Sequence, residues 1–246
     1  MTFQIEINGL PVSAVFSEEN IEGIFLPLLK RLTEIQNALG RRILVFLAAP
    51  PGAGKSTLSE FLRHLSVNTP EVTPITVIGM DGFHRRQEYL ISHTAVRDGK
   101  EIPMVGIKGA PVTFDLDLFH NSVQRAAAGE DIEWPDYDRT LHNPVYRGRR
   151  VTGDIVLLEG NYLLLDEDGW RDLREYADYT IKITADPAIL KKRLTDRKSA
   201  SGMPREKAEE FVLFSDMYNA RLCLEQSGKA DLELRLLPDC QYEKAK

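Results

Sequence analysis

The sequence predicts an α/β fold in which a parallel sheet is flanked by helices. Three observations predict it. An unbroken apolar run at 43–47 and similar runs at 75–78 and 155–158, with a fourth candidate at 179–183, have the composition of strands covered on both faces. Helical patterns separate these runs, so the strands are joined by right-handed crossovers. A glycine-rich turn follows the first run and leads straight into an amphipathic helix.

Residues 3–7 alternate apolar and polar and read as a strand. Asn8 to Pro11 is turn chemistry, and Val12 to Phe16 can return as the hairpin partner. From Ile21 to Leu39 the apolar positions Ile21, Phe25, Leu28, Leu29, Leu32, Ile35 and Leu39 form one helical face. Pro27 either kinks this helix or marks its start. Residues 1–40 read as an N-terminal extension of hairpin plus helix, packed on a main domain at 41–246; a dimerisation surface is its other possible use.

After the first strand, Leu58, Phe61, Leu62 and Leu65 recur at helical spacing. Between Phe83 and Phe114 the pattern is weak, and Gly99, Pro103, Gly106, Gly109 and Pro111 mark a loop-rich connection. Asp115 reads as the N-cap of the helix that follows it. Asp186–Pro187 reads as an N-cap with proline at the first helical position. No Ser/Gly/Pro linker or repeat divides the chain.

With 246 residues and 43% hydrophobic content the chain can bury a full core without a disulfide or metal staple. The net charge of −6 argues against a dedicated nucleic-acid or anionic-membrane binder. Cys223 and Cys240 make no disulfide framework and no CxxC pair. The N-terminus lacks a signal-peptide pattern, and the longest strongly apolar stretch, Ile43 to Ala49, is too short to span a bilayer. The expectation is a soluble cytoplasmic protein, monomer or homodimer, with no nucleic-acid or membrane partner.

Residues 49–57, APPGAGKST, meet the phosphate-loop pattern GxxxxGK[ST], with Ala49 in place of the first glycine. Pro51, Gly52, Ala53 and Gly54 form a turn whose backbone N–H groups face an anion, at a helix N-terminus that favours the same charge. Lys55 reaches the β- and γ-phosphates, the Ser56 hydroxyl holds Mg²⁺, and Thr57 offers a hydroxyl to the α-phosphate. This pattern points to nucleoside triphosphate binding, with ATP and Mg²⁺ as the expected cofactors. No guanine-recognition motif [NT]KxD occurs in the chain.

The second apolar run ends in GMDGFH, which puts Asp81 at the carboxyl edge of the sheet, where α/β proteins bind ligands. A carboxylate there can take a proton from an attacking hydroxyl or anchor a Mg²⁺ water; its other reading is a turn or cap residue. Glu159 ends the buried run DIVLLEG; an unpaired buried carboxylate is expensive, so it is either functional or exposed as the strand exits.

APPGAGKST, MDGFH, KGAPVTFD, PDYDR and VLLEGNYLL, in this order, resemble the P-loop small-molecule kinases that include uridine kinase, phosphoribulokinase and bacterial pantothenate kinase. Within that group the chain looks most like bacterial nucleoside/nucleotide kinase-like proteins, over roughly residues 42–225. The resemblance implies a P-loop NTPase three-layer fold, a five-stranded parallel sheet with a mobile lid, and transfer of the ATP γ-phosphate to a substrate hydroxyl. It implies that Asp81 is the general base and that Glu159 lies near Mg²⁺ or the substrate. It makes Tyr137, Asp138, Arg139 and His142 candidates for holding the acceptor, with His84 beside them. Lys108 either reaches an anionic group or is a solvated loop lysine. Arg147, Arg149 and Arg150 read as a solvated hairpin.

From Leu190 to Lys207 the basic side chains Lys191, Lys192, Arg193, Arg197, Lys198, Arg205 and Lys207 face only Asp196 and Glu206. Arg193 and Arg197 share one helical face, with Leu190 and Leu194 on the core side. In the related kinases such a lid closes over the phosphates and supplies an arginine to the transition state; the plainer reading is a basic surface helix. The expected function is an ATP-dependent kinase for a small-molecule hydroxyl: a nucleoside, pantothenate-like acid, sugar or sugar phosphate. Arg139, Lys108 and Arg85–Arg86 hint at an anionic acceptor. A non-catalytic ATP-binding regulator and an NTP hydrolase are the competing classes.

Overall fold

A computed structural model describes residues 1–7 and 10–245. The chain opens with an antiparallel hairpin, β1 (Thr2–Ile7) and β2 (Leu10–Val15); the start of the expected turn, Asn8 and Gly9, lies outside the described residues. A helical stretch follows as α1 (Glu18–Asn20), a π-turn (Ile21–Phe25) and α2 (Leu26–Leu39). Ser17 caps it by accepting from the Asn20 N–H, and Gly40 ends it in the left-handed region. The helical stretch thus runs through Pro27. The widened turn just before it accommodates a ring that would crowd the carbonyl four residues back.

The central unit begins with β3 (Ile43–Ala48), α3 (Lys55–Val67) and β4 (Ile75–Gly79). Next come α4 (Gln87–Ser92), the hairpin β5 (Thr94–Arg97) and β6 (Lys100–Pro103), and α5 (Leu116–Ala127). A short ribbon, β7 (Asp136–Asp138) and β8 (Asn143–Val145), precedes β9 (Ile155–Gly160) and β10 (Tyr179–Ala185). The chain finishes with α6 (Pro187–Ala200), α7 (Arg205–Phe211), α8 (Met217–Gln226), β11 (Leu232–Leu236) and β12 (Tyr242–Lys244).

The main sheet has the order β12-β11-β10-β3-β9-β4. All neighbours pair in parallel except β12, which joins the edge antiparallel. The four strands expected from apolar runs therefore lie side by side. β11 supplies the fifth parallel strand, and β12 is an addition; their short, mixed sequences gave no such run. From β3 the chain crosses to β4 on one side, and from β9 it crosses to β10 on the other. The crevice between β3 and β9 is thus a topological switch point, where such sheets hold ligands.

Side-chain alternation assigns the two faces. Ile43, Val45 and Leu47 enter one buried cluster with Phe61, Leu157 and Ile181. Leu44, Phe46 and Ala48 enter the other with Phe83, Trp134 and Tyr162. Residues 1–40 complete the first cluster. Phe61 of α3 stacks on Phe16 at 3.9 Å between ring centroids and meets Phe3 and Phe25 edge-on at 5.3 and 5.9 Å. The buried Asn20 side chain donates to the Tyr242 carbonyl at 2.8 Å and accepts from its N–H at 2.7 Å. The edge strand β12 is therefore tied to the N-terminal helix.

One expectation needs correction. Residues 84–114 are not an extended loop: α4, β5, β6 and two 3₁₀ turns organise them around buried Leu90, Met104, Ile107 and Phe114. Elements this short cannot display a period over a sequence window. Arg147, Arg149 and Arg150 are exposed beside the ribbon, as a solvated hairpin requires; Arg147 and Arg149 pair there with Asp138 and Asp136 on the facing strand, and Arg150 donates to the Asp131 carbonyl. The expected caps are present, with Asp115 accepting from the Leu118 N–H and Asp186 from the Ala188 N–H. Among the described residues, no helix is long and apolar enough to cross a membrane.

Because Phe61 is fully buried between the N-terminal segment and the sheet, Phe61→Ala is expected to destabilise the protein by about 3–5 kcal/mol. Urea unfolding followed by tryptophan fluorescence and circular dichroism checks this, with both probes shifting together. A loss below about 1 kcal/mol, or a separate early transition, would detach residues 1–40 from the cooperative core.

Candidate active site

The phosphate loop leaves the buried end of β3 and re-enters the fold at the first turn of α3. The Ala53 N–H donates to the Pro50 carbonyl at 3.2 Å, closing the loop on itself. Gly52 and Gly54 adopt φ of +86° and +84°, which only glycine takes without strain. Ala49 has no such φ, so a residue with a Cβ stands there without backbone strain where the pattern has glycine. The N–H groups of Lys55, Ser56 and Thr57 open α3 and have no acceptor within the helix.

The strand register places Glu159 between two functional loops. On β9 it stands opposite Leu47 of β3 and Gly79 of β4. Its Oε1 accepts from the Ser56 hydroxyl at 2.8 Å, and its Oε2 lies 3.9 Å from Lys55 Nζ. That Oε2 is buried and accepts no hydrogen bond among the described residues. Burial, and then the nearby charge of Asp81, raise the Glu159 pKa, although Lys55 and Ser56 oppose the shift.

Asp81 sits in a 3₁₀ turn (Met80–Phe83) directly after β4. The turn can lie this close to the ribbon because residue 82 is glycine: a Cβ there would come 1.9 Å from the Pro135 carbonyl oxygen. Burial would raise the Asp81 pKa, but His84, Lys55, Arg139 and Arg197 outweigh it and hold the carboxylate below its usual value. The side chain keeps 41% of its surface open. It is therefore an ionised carboxylate that solvent can reach, lining a cleft.

The other expected acceptor-side residues gather around it. Arg139 Nη2 lies 3.8 Å from Asp81 Oδ2. His84 Nδ1 lies 2.8 Å from the Asp81 carbonyl oxygen, so Nδ1 carries the proton and Nε2 keeps its lone pair. Its ring packs at 4.0 Å from Phe114 and 5.0 Å from Tyr137. Burial lowers the His84 pKa, leaving the imidazole neutral near pH 7. Burial pushes the Tyr137 phenol up to about 12, so it remains a donor. Lys108 is no solvated loop lysine: its Nζ donates to Gln87 Oε1 at 2.7 Å and the His142 carbonyl at 2.9 Å, and lies 4.9 Å from the Tyr137 ring centroid. His142 thus contributes its carbonyl, while its side chain is exposed. Arg85 and Arg86, the other expected anion binders, face Asp115 at 3.7 Å and Glu88 at 3.8 Å.

A cleft of about 490 Å³ joins these groups, lined by Ser56, Gly79, Asp81, Tyr137, Arg149 and Glu159, with Ile5 and Glu6 of β1 among its walls. Helix α6, the expected lid segment, packs directly on the phosphate loop. A Cβ on Gly52 would meet Leu194 Cγ at 2.9 Å, and one on Gly54 would meet Arg193 Nη2 at 3.1 Å. Arg193 therefore lies over the loop, where its Nη1 also contacts Cys240 Sγ at 3.0 Å. Arg197, one turn on, lies in the combined field of Arg139, Asp216, Asp81 and Arg193; loss of water and then the cation Arg139 lower its pKa. Neither Cys240 nor Arg97 of β5 belongs to any sequence motif, and their places follow only from the fold.

A glycine-cradled helix N-terminus at a switch point, with a lysine, a hydroxyl and two carboxylates converging on it, defines a P-loop nucleotide-binding protein of the kinase type. The Phosphoribulokinase / Uridine kinase family model matches residues 44–240, and the chain belongs to that family. It is 37% identical over 243 residues to YggC of Escherichia coli (strain K12), itself uncharacterized, covering 98% of each chain. A candidate uridine kinase of Schizosaccharomyces pombe is 29% identical over 203 residues, covering 80% of this chain and 84% of that one. Among solved structures, a candidate fructose transport system kinase from Silicibacter sp. TM1040 is 31% identical with a TM-score of 0.70, covering 82% of this chain and 97% of that one.

The raised Glu159 pKa has a measurable consequence. The folded state binds this proton more tightly than the unfolded chain. The stabilisation is full below the ordinary Glu value and is lost as pH rises through the folded value. In nucleotide-free protein, the stability difference between wild type and Glu159→Gln should shift against wild type as pH rises above the ordinary Glu value of about 4.3. Urea unfolding across that rise in pH checks it, and a flat difference would mean an ordinary titration.

Proposed function

We propose that this chain is an ATP-dependent kinase that transfers the γ-phosphate to a hydroxyl of a small molecule, whether nucleoside, pantothenate-like acid, sugar or sugar phosphate. The observation that carries the reading is Asp81: an accessible carboxylate, held ionised by cations, across the cleft from the phosphate loop. The chemistry needs such a base on the acceptor side and an anion cradle on the nucleotide side.

The backbone N–H groups at 52–57 and Lys55 bind and orient the polyphosphate. Asp81 accepts the proton of the acceptor hydroxyl as its oxygen bonds to the γ-phosphorus. The bond from that phosphorus to the bridging oxygen breaks, and ADP leaves with the electron pair. Arg139 keeps Asp81 ionised, while neutral His84 and protonated Tyr137 offer an acceptor and a donor to the substrate. Arg193 and Arg197 bring positive charge from α6 to the transferred group. Their positions on the lid allow closure to complete the site.

The residues fit a Mg²⁺ ion. Glu159 Oε2 is a buried oxygen without a hydrogen-bond partner, beside the Ser56 hydroxyl. Ser56 and Glu159 would hold the ion, with Asp81 reaching it through water. Among the described residues, no group of three or more His, Cys, Asp or Glu could hold a metal. Mg²⁺ suits such a sparse site, because it is commonly held by one or two protein groups plus substrate phosphates. When bound, it offsets charge on the phosphate oxygens.

Asp81→Asn tests the reading. It should leave ATP affinity within about twofold and lower phosphoryl transfer by roughly 10²–10⁴-fold. The measurement is an ATP-consumption screen over nucleosides, sugars, sugar phosphates and pantothenate, with nucleotide binding followed by calorimetry. Unchanged turnover in Asp81→Asn would remove Asp81 as the base. ATP hydrolysis without acceptor, at the rate of the best acceptor, would replace the kinase by a hydrolase.

A further inference from the structure

Arg97 closes β5 and is buried, with 8% of its surface exposed. Its Nη1 donates to the Phe214 carbonyl at 2.9 Å, in the π-turn (Val212–Asp216) that precedes α8. Its guanidinium lies 3.9 Å above the Tyr218 ring. Its Nη2 is buried and donates to nothing among the described residues, and Arg97 forms no ion pair among them. A buried guanidinium without a counter-ion is costly, because its desolvation is not offset.

The surroundings do not supply the missing charge. Asp216, the acid of the same π-turn, is engaged by Lys198 at 3.4 Å. What lies nearby instead is a row of polar atoms without partners. Ser215 of the π-turn and Asn219 and Cys223 of α8 recur every four residues and are all buried. The Ser215 hydroxyl and Asn219 Oδ1 are buried and unpaired, and Cys223 contacts the Asn161 carbonyl, two residues beyond Glu159, at 3.3 Å. Asn161 Oδ1 is unpaired as well. The Tyr162 hydroxyl donates to the carbonyl of Gly109, and a Cβ on Gly109 would lie 3.6 Å from Asn219 Nδ2. Beyond the dominant effect of burial, the Tyr162 phenol feels both Asp81 and Arg97. The row thus starts at Asn161, beside the end of β9, and ends at Asn219 and Ser215, the chain neighbours of the Tyr218 and Phe214 that hold Arg97.

We propose that Arg97 is the anion-binding residue of the acceptor subsite, with Asn219 and Ser215 hydrogen-bonding the acceptor between Arg97 and Asp81. The acceptor is then a hydroxylated molecule bearing a carboxylate or phosphate, rather than a neutral nucleoside or sugar. Arg139 serves Asp81, Lys108 is held by Gln87 and His142, and Arg85 faces Asp115. This inference rests on the proposed kinase reading and refines its acceptor class.

Matched pairs test it on the full chain: pantothenate against pantothenol, gluconate against glucose, fructose 6-phosphate against fructose. Binding is read by calorimetry and turnover by ATP consumption. At least one anionic member should bind and be phosphorylated in preference to its neutral partner, and the pair that responds tells carboxylate from phosphate. Arg97→Met should raise KM and Kd for it by about 10- to 100-fold, the range expected when a charged hydrogen bond is lost. The KM for ATP should stay within about twofold, and Arg97→Lys should recover part of the loss. Preference for neutral members, no binding by any anionic member, or an unchanged KM in a folded Arg97→Met would overturn the proposal. Equal losses for charged and neutral acceptors would do the same, since they mark a structural role. Anion binding without turnover, abolished in Arg97→Met, would uphold Arg97 and count against the kinase reading alone.

Discussion

The site depends on one buried carboxylate. Glu159 interrupts the otherwise fully buried strand β9, and an isolated charge there would be expelled or protonated. It is retained because Ser56 and Lys55, from the first turn of α3, reach it across the crevice beside β3. The contact joins the phosphate loop to the neighbouring strand and leaves one oxygen unsatisfied. Its negative charge also faces Asp81. The two carboxylates are driven in opposite directions, one toward the proton and the other away from it. Such separation suits two different tasks in one cleft.

The rest of the architecture keeps these groups apart yet close. Parallel pairing sets Gly79 and Leu47 on either side of Glu159, so the loops after β3 and β4 must rise from the same edge. Trp134 Nε1 donates to the Gly79 carbonyl at 2.8 Å and Arg149 to that of Val77 at 3.3 Å, which occupies the free edge of β4. Leu190 and Leu194 seat α6 on the phosphate loop, fixing where Arg193 and Arg197 emerge. At the opposite edge, Asn20 and Tyr242 bind the N-terminal segment to the sheet. The same aromatic cluster that holds residues 1–40 also supports α3, whose first turn closes the phosphate loop.

The parts of the fold legible in the sequence were those with strong local physics. Long apolar runs declared β3, β4 and β9, and Asp115 and Asp186 declared two helix starts. The glycine pattern at 52–54 declared the phosphate loop, because left-handed backbone is a local demand. Short elements without a period were not legible, as in residues 84–114 and at β11 and β12. Pairing was not legible either. The run from Arg139 to Arg150 contains no acid, yet Arg147 and Arg149 find Asp138 and Asp136 once the ribbon folds back.

By itself the sequence determined the α/β class, the phosphate cradle and the identity of Asp81 and Glu159 as carboxylates at strand ends. These follow from periodicity, backbone conformation and the cost of buried charge, all of which act over a few residues. Only the tertiary structure decided that Asp81 is held below its usual pKa and Glu159 above it, that Lys108 is held by Gln87 and His142, and that Arg97 is buried without a counter-ion. Those outcomes depend on which charges share one low-dielectric cleft, and the fold brings them together from positions far apart in the chain.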